Sequence, residues 1–365
     1  MTAQHAGQRI RRTATLASLA AELGVSRTTV SNAYNRPDQL SPQLRQRVLD
    51  TAKRLGYPGP DPVARSLRIR RAGAVGGLLL TERLSYAFRD PGAVAFLEGL
   101  SLACEDARVG LLLVPAVEGA SGTDPAVVAR AAVDGFVVYS MPEGNEFLQT
   151  VLDRPVPTVV VDEPAGVDGV DFVGVDDRAA MIALARHLVD LGHRRVGVVS
   201  SAISPDATFG FASRDRQRAA GYHVVRNRLD GLRRSLEAVG VGWDDVPVME
   251  LPANDRQLAA QGAGKLLDAY PDRTAIVSIT DIVALGVLDA LSERGISVPA
   301  QMSVTGFDDV PDAALAHLTT VRQPLREKGR AAGELLLDTS ERPAPRTRML
   351  TADLVVRATT GPAPE

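Results

Sequence analysis

The chain is 365 residues long, 45% hydrophobic and 23% charged, with a formal net charge of -3. That length allows two or three domains and a large core. A single cysteine, Cys104, excludes a disulfide framework or a thiolate metal centre and reads as a small core residue on a helix. The average charge conceals a division. Residues 1–71 hold 13 Lys/Arg against 4 Asp/Glu, and the other 294 hold 28 against 40. A basic head on an acidic body suits a nucleic-acid module joined to a ligand-binding body. No apolar run approaches a membrane span and no signal-peptide pattern opens the chain, so a cytoplasmic protein with no membrane partner is expected.

Residues 15–35 predict two short helices joined by a tight turn. Leu16, Leu19, Ala20 and Leu23 fall at helical spacing and line one face. Gly24 stops the first helix, Ser26 is an N-cap for the second, and Val25 and Val30 turn inward. Arg27, Thr28, Ser31 and Asn32 are left on the outer face, where their side chains suit base edges and phosphates. An ordinary helical hairpin is the competing reading. The N-terminal position, the Ala20–Ala21 pair at a close crossing and an outer face with an arginine and no acid weigh against it.

Asn35 to Leu40 reads as a loop. Ser41 and Pro42 then supply an N-cap and a first-turn proline for a third helix to about Leu55, ended by Gly56. The proline-rich stretch from Tyr57 to Leu67 reads by composition as a linker. Asp61-Pro62 is nonetheless a helix-start signal, and Val63 to Arg68 would form one or two turns only with a partner chain or DNA.

From Ala74 onward short apolar runs alternate with helical stretches. The runs are 74–80, 110–116, 135–140, 158–161, 172–175, 196–200, 247–251, 275–279 and 303–307. Wholly apolar strands each followed by a helix indicate parallel sheets covered on both faces. Nine such strands are too many for one compact sheet, so two doubly wound subdomains with a cleft between them are predicted. Residues 201–222 show no periodicity and read as a long loop.

Catalytic signals are absent. No two of the five histidines have metal-ligand spacing, and neither HExxH, CxxC nor GxSxG occurs. Gly262-Ala-Gly-Lys265 is followed by Leu266 rather than Ser or Thr, and falls mid-helix. Asp162, Asp176, Asp281 and Asp308 stand at strand ends, where ligand contact and helix capping both remain open. No cofactor, metal or enzymatic activity is expected.

The segments TLASLAAELGVSRTTVSNAYN, SPQLRQRVLDTAKRLGY and ARSLR, with HLVDLGHRRVGVV (187–199), RLDGL (228–232), TAIVSITDIVALGVLDAL (274–291), ISVPAQMSVTGFDDVP (296–311) and LTTVRQP (318–324), resemble the lactose-repressor (LacI/GalR) family of bacterial transcription regulators. The resemblance implies an α/β protein: a three-helix helix-turn-helix head over 13–58, a hinge helix within 59–72, and a periplasmic-binding-protein-like ligand-binding and dimerisation domain over 73–360. Its subdomains would be 73–163 with 325–340, and 164–324 with 345–360. A homodimer with two heads on one palindromic operator is implied.

Carried over by position, Arg27, Thr28 and Asn32 match base-reading residues, and Thr15, Leu16, Ser26, Thr29, Ser31, Asn35 and Tyr57 match phosphate contacts. Ala64 and Leu67 match hinge residues facing the minor groove, where a leucine wedges between base pairs. The resemblance implies a small-molecule effector, sugar-like or a related metabolite, held by Asp162, Arg228, Thr280, Asp281, Asp308 and Gln323. Tyr86, Phe88 and Asp90 follow the first strand and are candidates to close the pocket. No aromatic residue occurs from residue 244 to 269 (Trp243 precedes it), which leaves a nucleobase or nucleoside open as effector. A repressor released by its effector is the leading reading. A corepressor-dependent repressor or an activator of the same family, and a small-molecule binding protein without a DNA role, are the alternatives.

Overall fold

Thr15, Ser26 and Ser41 start three helices by one device. Each is an extended N-cap whose side-chain oxygen accepts the amide three residues on, from Ser18, Thr29 and Leu44 respectively. The helices are α1 (Leu16–Leu23), α2 (Arg27–Asn35) and α3 (Pro42–Leu55). Gly24 and Gly56 end α1 and α3 at φ of 66° and 68°, a conformation that costs glycine little. Leu19, Ala20, Leu23, Val30, Ala33, Val48 and Ala52 form the core beneath. Of the Ala20–Ala21 pair only Ala20 is buried; Ala21 faces solvent. The segment after α2 holds a short 3-10 turn, Pro37–Gln39.

This computed structural model describes residues 14–59, 72–79, 87–115, 118–119, 122–123, 125–338, 340 and 344–365. The chain divides into two units, Met1–Ala72 and Gly73–Glu365. The expected hinge helix, with Ala64 and Leu67, lies outside the described residues, as does Tyr86.

In the second unit the strands run β1 (Ala74–Leu79), β2 (Gly110–Pro115), β3 (Glu118–Gly119), β4 (Gly122–Thr123), β5 (Phe136–Tyr139), β6 (Thr158–Val161), β7 (Asp171–Val175), β8 (Val196–Ser200), β9 (Gly210–Phe211), β10 (Val248–Glu250), β11 (Ala275–Ser278), β12 (Ser303–Asp308), β13 (Thr319–Arg322), β14 (Thr347–Leu350) and β15 (Asp353–Val355). Two large sheets result, ordered β14-β7-β6-β5-β1-β2 and β15-β13-β12-β11-β8-β10-β9, and β3 and β4 pair with each other as a separate antiparallel ribbon. All pairings in the first are parallel; in the second only the edge strands β9 and β15 are antiparallel. The long helices are α4 (Pro91–Ala107), α5 (Asp177–Asp190), α6 (His223–Glu237), α7 (Arg256–Ala269), α8 (Asp281–Glu293) and α9 (Leu325–Leu337). Each sheet has its own core: Phe96, Val137, Val159, Val161 and Ala332 in the first lobe, and Leu184, Val198, Leu232, Val277 and Phe307 in the second.

The lobe boundaries differ from the sequence expectation in two places. Strand β7 belongs to the first sheet, where Val159 pairs with Asp171, and so does β14, where Thr347 pairs with Phe172. Asp171 holds this edge by accepting the amide of Arg346 at 2.8 Å and its guanidinium at 2.8 Å. The chain therefore crosses between lobes three times, after β7, after β13 and after β14. A further difference concerns 201–222, which contains β9 and a helix at Arg214–Arg218. That helix is too short to leave a periodic signature. Fully buried Glu250 anchors the region by accepting the Ile203 amide and the Thr208 hydroxyl, both at 3.0 Å, and pairing with Arg216.

Candidate functional site

Parallel strands deliver their C-terminal ends to one edge of each sheet, and ligands of such folds bind in the crevice outside those ends. Here the crevice lies between the two lobes and encloses ≈ 140 Å³. Ser140, Asp162 and Asp308, at the ends of β5, β6 and β12, have φ of 56°, 64° and 130°. Positive φ is uncommon for residues other than glycine and concentrates at binding sites.

Six expected effector contacts line the crevice: Asp90, Asp162, Arg228, Thr280, Asp308 and Gln323. Arg228 is 5% exposed on α6. Its Nε donates to Asp177 Oδ1 at 2.8 Å and its Nη1 to the Ile279 carbonyl at 2.6 Å, while the guanidinium lies 3.6 Å from the centroid of the Phe307 ring. These contacts fix the fork of donors in place. Asp308 Oδ1 accepts from Gln323 Nε2 and lies 4.0 Å from Arg228 Nη1. Burial raises the Asp308 carboxyl well above its usual pKa, against the pull of Arg228. Asp162 is raised by burial as well, opposed by Lys328. Thr280 N-caps α8 and donates to Asn254 Oδ1 at 2.6 Å, so its hydroxyl is already committed. Asp90 caps α4 through the Gly92 amide at 2.8 Å.

Two expectations fail. Asp281 is fully buried behind the crevice, where its carboxylate accepts the Val310 amide at 2.9 Å and the Thr320 hydroxyl at 2.5 Å. It braces the β12 end that carries Asp308 and does not line the crevice. Phe88 is 60% exposed in the turn before α4 and does not line it either.

The crevice also holds residues the sequence did not single out. Tyr139 stacks on Phe96 at 4.1 Å, and burial pushes its hydroxyl pKa up. Glu163 accepts the Ser140 hydroxyl at 3.0 Å and the Val224 amide at 3.3 Å, and burial raises its pKa to about 7. Lys328 lies beneath the floor with Nζ 2.6 Å from Asp162 Oδ1. Glu163 and Lys328 had legible signals: a second carboxylate at a strand end, and a charge on the apolar stripe of a helix. The crevice lining carries four carboxylates (Asp90, Asp162, Glu163, Asp308) and one guanidinium among the described residues. Such a lining disfavours an anion and offers acceptors to hydroxyl protons.

In the head, Arg27 and Thr28 are exposed in the first turn of α2. Ser26 and Thr29 are engaged at the start of α2, with their hydroxyls 2.9 Å apart, and Thr15 forms a capping box with Ser18. Caps of this kind leave helix N-terminal amides facing outward, where a phosphate can accept them. Leu16 packs partly on the core. Asn32 donates to Gln39 Oε1 at 3.1 Å, and Ser31, half-buried, lies one residue before it. Asn35 ends α2, and Tyr57 packs edge-on against Tyr34 at 6.1 Å.

Comparison with known proteins gives concordant matches. A family model described as a periplasmic binding protein-like domain matches residues 185–360. The chain is 49% identical to an HTH-type transcriptional regulator of Mycobacterium tuberculosis, over 96% of this chain and 98% of that one. It resembles the crystal structure of a LacI-family transcriptional regulator from Corynebacterium glutamicum with a TM-score of 0.73 and 38% identity, covering 98% and 100% of the two chains. It also resembles the transcriptional regulator CelR in complex with cellobiose, with a TM-score of 0.68 and 27% identity over 95% and 99%. No helix among the described residues is long and apolar enough to cross a membrane.

Proposed function

This chain belongs to the LacI family of HTH-type transcriptional regulators, and we propose that it is a repressor released from a palindromic operator by a small, uncharged, polyhydroxylated effector. The observation that carries the effector class is the crevice floor: carboxylates of both lobes, Asp162 and Asp308, together with the fixed donors of Arg228. A space of ≈ 140 Å³ is well below the ~300–1,000 Å³ of sites for drug-sized ligands. It suits a single sugar-sized ring rather than a disaccharide such as the cellobiose bound by CelR. Four carboxyl groups against one guanidinium, Arg228, give a phosphorylated effector little compensating charge.

In this reading α2 enters the major groove, with Arg27, Thr28 and Asn32 toward bases and Thr15, Leu16, Ser26, Thr29, Ser31, Asn35 and Tyr57 toward the backbone. Ala64 and Leu67 belong to the hinge by sequence alone. Two copies are needed to span a palindrome. A shallow groove of ≈ 840 Å³, where Pro91, Ala95, Leu102, Leu325 and Met349 alternate with charged residues such as Arg322, Arg326 and Glu327, offers a mixed face for the second copy. The effector acts by favouring one arrangement of the lobes, and its leverage is its difference in affinity for the two, typically ~1–3 kcal/mol. No catalytic step is assigned to the crevice.

Fluorescence anisotropy with fragments of the DNA flanking its gene tests this reading. D-ribose, D-glucose and D-galactose, their phosphates, adenine and guanosine are added in turn. A salt-sensitive specific complex released by a neutral monosaccharide is expected. Tightening of the complex by any of these compounds would make the protein corepressor-dependent, and release by a phosphate ester would overturn the effector class. Absence of a specific complex would leave a binding protein without a DNA role.

A further inference from the structure

Helix α9 buries one face, formed by Leu325, Lys328, Ala332, Leu335 and Leu336 at helical spacing. A leucine or methionine at 328 would complete that stripe. A lysine there is fully removed from water, which strongly disfavours an ion unless its partners compensate. Packing therefore does not account for it.

The partners are specific. Nζ donates to Asp162 Oδ1 at 2.6 Å and to Gln323 Oε1, and Gln323 Nε2 donates onward to Asp308 Oδ1. An ammonium has only donors, so it admits one orientation of the Gln323 amide, oxygen toward Lys328 and nitrogen toward Asp308. It likewise takes one oxygen of Asp162. The second oxygens, Asp162 Oδ2 and Asp308 Oδ2, accept no hydrogen bond among the described residues, and both side chains line the crevice. Asp162 belongs to the first lobe and Asp308 to the second, while Gln323 sits on the crossing between them.

We propose that Lys328 is a positioning residue that sets effector specificity: from beneath the floor it orients Asp162, Gln323 and, through Gln323, Asp308, so that the crevice presents acceptors to ligand hydroxyls from both lobes. This rests on reading the crevice as the effector site. Without the ammonium the Gln323 amide is free to turn its oxygen outward, and Asp162 takes up a proton and becomes a donor.

The test has a ligand-free arm and a ligand arm. In the ligand-free arm, carboxyl carbons of 13C-labelled aspartates are titrated by NMR in the full chain and in Lys328→Met, with Asp162→Asn identifying the signal. The Asp162 midpoint should rise by at least one pH unit in Lys328→Met; an unchanged midpoint would overturn the proposal. Should Lys328→Met not fold, the Asp308 carbon is followed in Asp162→Asn and in Asp162→Asn/Lys328→Met. A shifted Asp308 signal is expected, and identical titrations count against the proposal.

In the ligand arm, calorimetry uses whichever of D-ribose, D-glucose and D-galactose binds the unmodified protein most tightly. Lys328→Met should bind it at least tenfold more weakly, and the double variant at least threefold more weakly than Asp162→Asn alone. A merely structural lysine would leave those affinities equal. If none of the three binds the unmodified protein, the effector reading fails, while the titration still decides whether Lys328 orients the floor.

Discussion

Glu163 of the first lobe accepts the backbone amide of Val224 at 3.3 Å, at the start of a helix in the second. Helix α6 has no side-chain cap of its own at Tyr222, so a carboxyl oxygen from across the crevice does that work. Burial holds the Glu163 pKa at about 7 against an ordinary 4.5. The folded chain thus keeps a proton that the unfolded chain releases. The contribution of Glu163 to stability is complete below about pH 4.5 and is lost as pH rises to about 7.

Replacing Glu163 with glutamine removes that loss. Glu163→Gln is expected to be more stable than the unmodified protein at pH 8 by about 1–3 kcal/mol, and no more stable at pH 4.5. Urea titrations at the two pH values measure this. An equal difference at both would show that Glu163 ionises as it would in water.

Asp281 and Asp308 both stood as effector contacts in the sequence, and the fold separates them. Asp281→Ala strands the buried Val310 amide and Thr320 hydroxyl, costing about 1–3 kcal/mol of stability. Asp308→Asn is expected to leave stability nearly unchanged and to weaken monosaccharide binding at least tenfold, or about 1.4 kcal/mol. Thermal melts paired with calorimetry distinguish the two. A selective loss of binding in a stable Asp281→Ala would place that residue in the site after all.

Helices α4 and α9 cross at backbone distance. A Cβ on Gly329 would lie 2.0 Å from the Phe96 carbonyl oxygen, and one on Gly99 would lie 1.8 Å from that of Arg326. Both obstacles are backbone and cannot swing aside. Gly329→Ala is expected to cost about 1–3 kcal/mol or more. Gly110→Ala, whose Cβ would find its nearest neighbour at 3.7 Å, serves as the tolerated control. Similar melting temperatures for the two variants would refute the close crossing.

Arg27→Ala is expected to weaken specific operator binding by about 1–3 kcal/mol and to leave monosaccharide binding intact. Anisotropy with operator and with scrambled DNA of equal length separates the contributions. Equal loss on both would reduce Arg27 to a phosphate contact.

The head was legible because its signals are local: Thr15, Ser26 and Ser41 cap within three residues, and Gly24 and Gly56 end their helices in place. The nine apolar runs likewise appear as strands, since parallel strands buried on both faces carry little polar sequence, although β2, at a sheet edge, leaves Leu112 exposed. Lobe membership was not legible, because β7 and β14 are placed by pairing with each other across more than 170 residues. The same distance hid the partners of the site's supporting residues, though not the oddity of the residues themselves. Nothing near Lys328 in sequence indicates Asp162, and Glu163 gains its role only when α6 meets it across the crevice. Asp281 was assigned to the effector by position, and position at a strand end says nothing about the direction its side chain takes.

The three crossings between the lobes bear on how the chain is made. The first sheet needs β14, and its covering helix α9 follows β13 of the second sheet. A ribosome must therefore release nearly all of the chain before either lobe can close its sheet, whereas the head is complete within the first sixty residues. For most of its synthesis a nascent chain presents a finished DNA-reading surface ahead of any means of controlling it. Chains cut short before β14 would carry the finished head without a closed sensor.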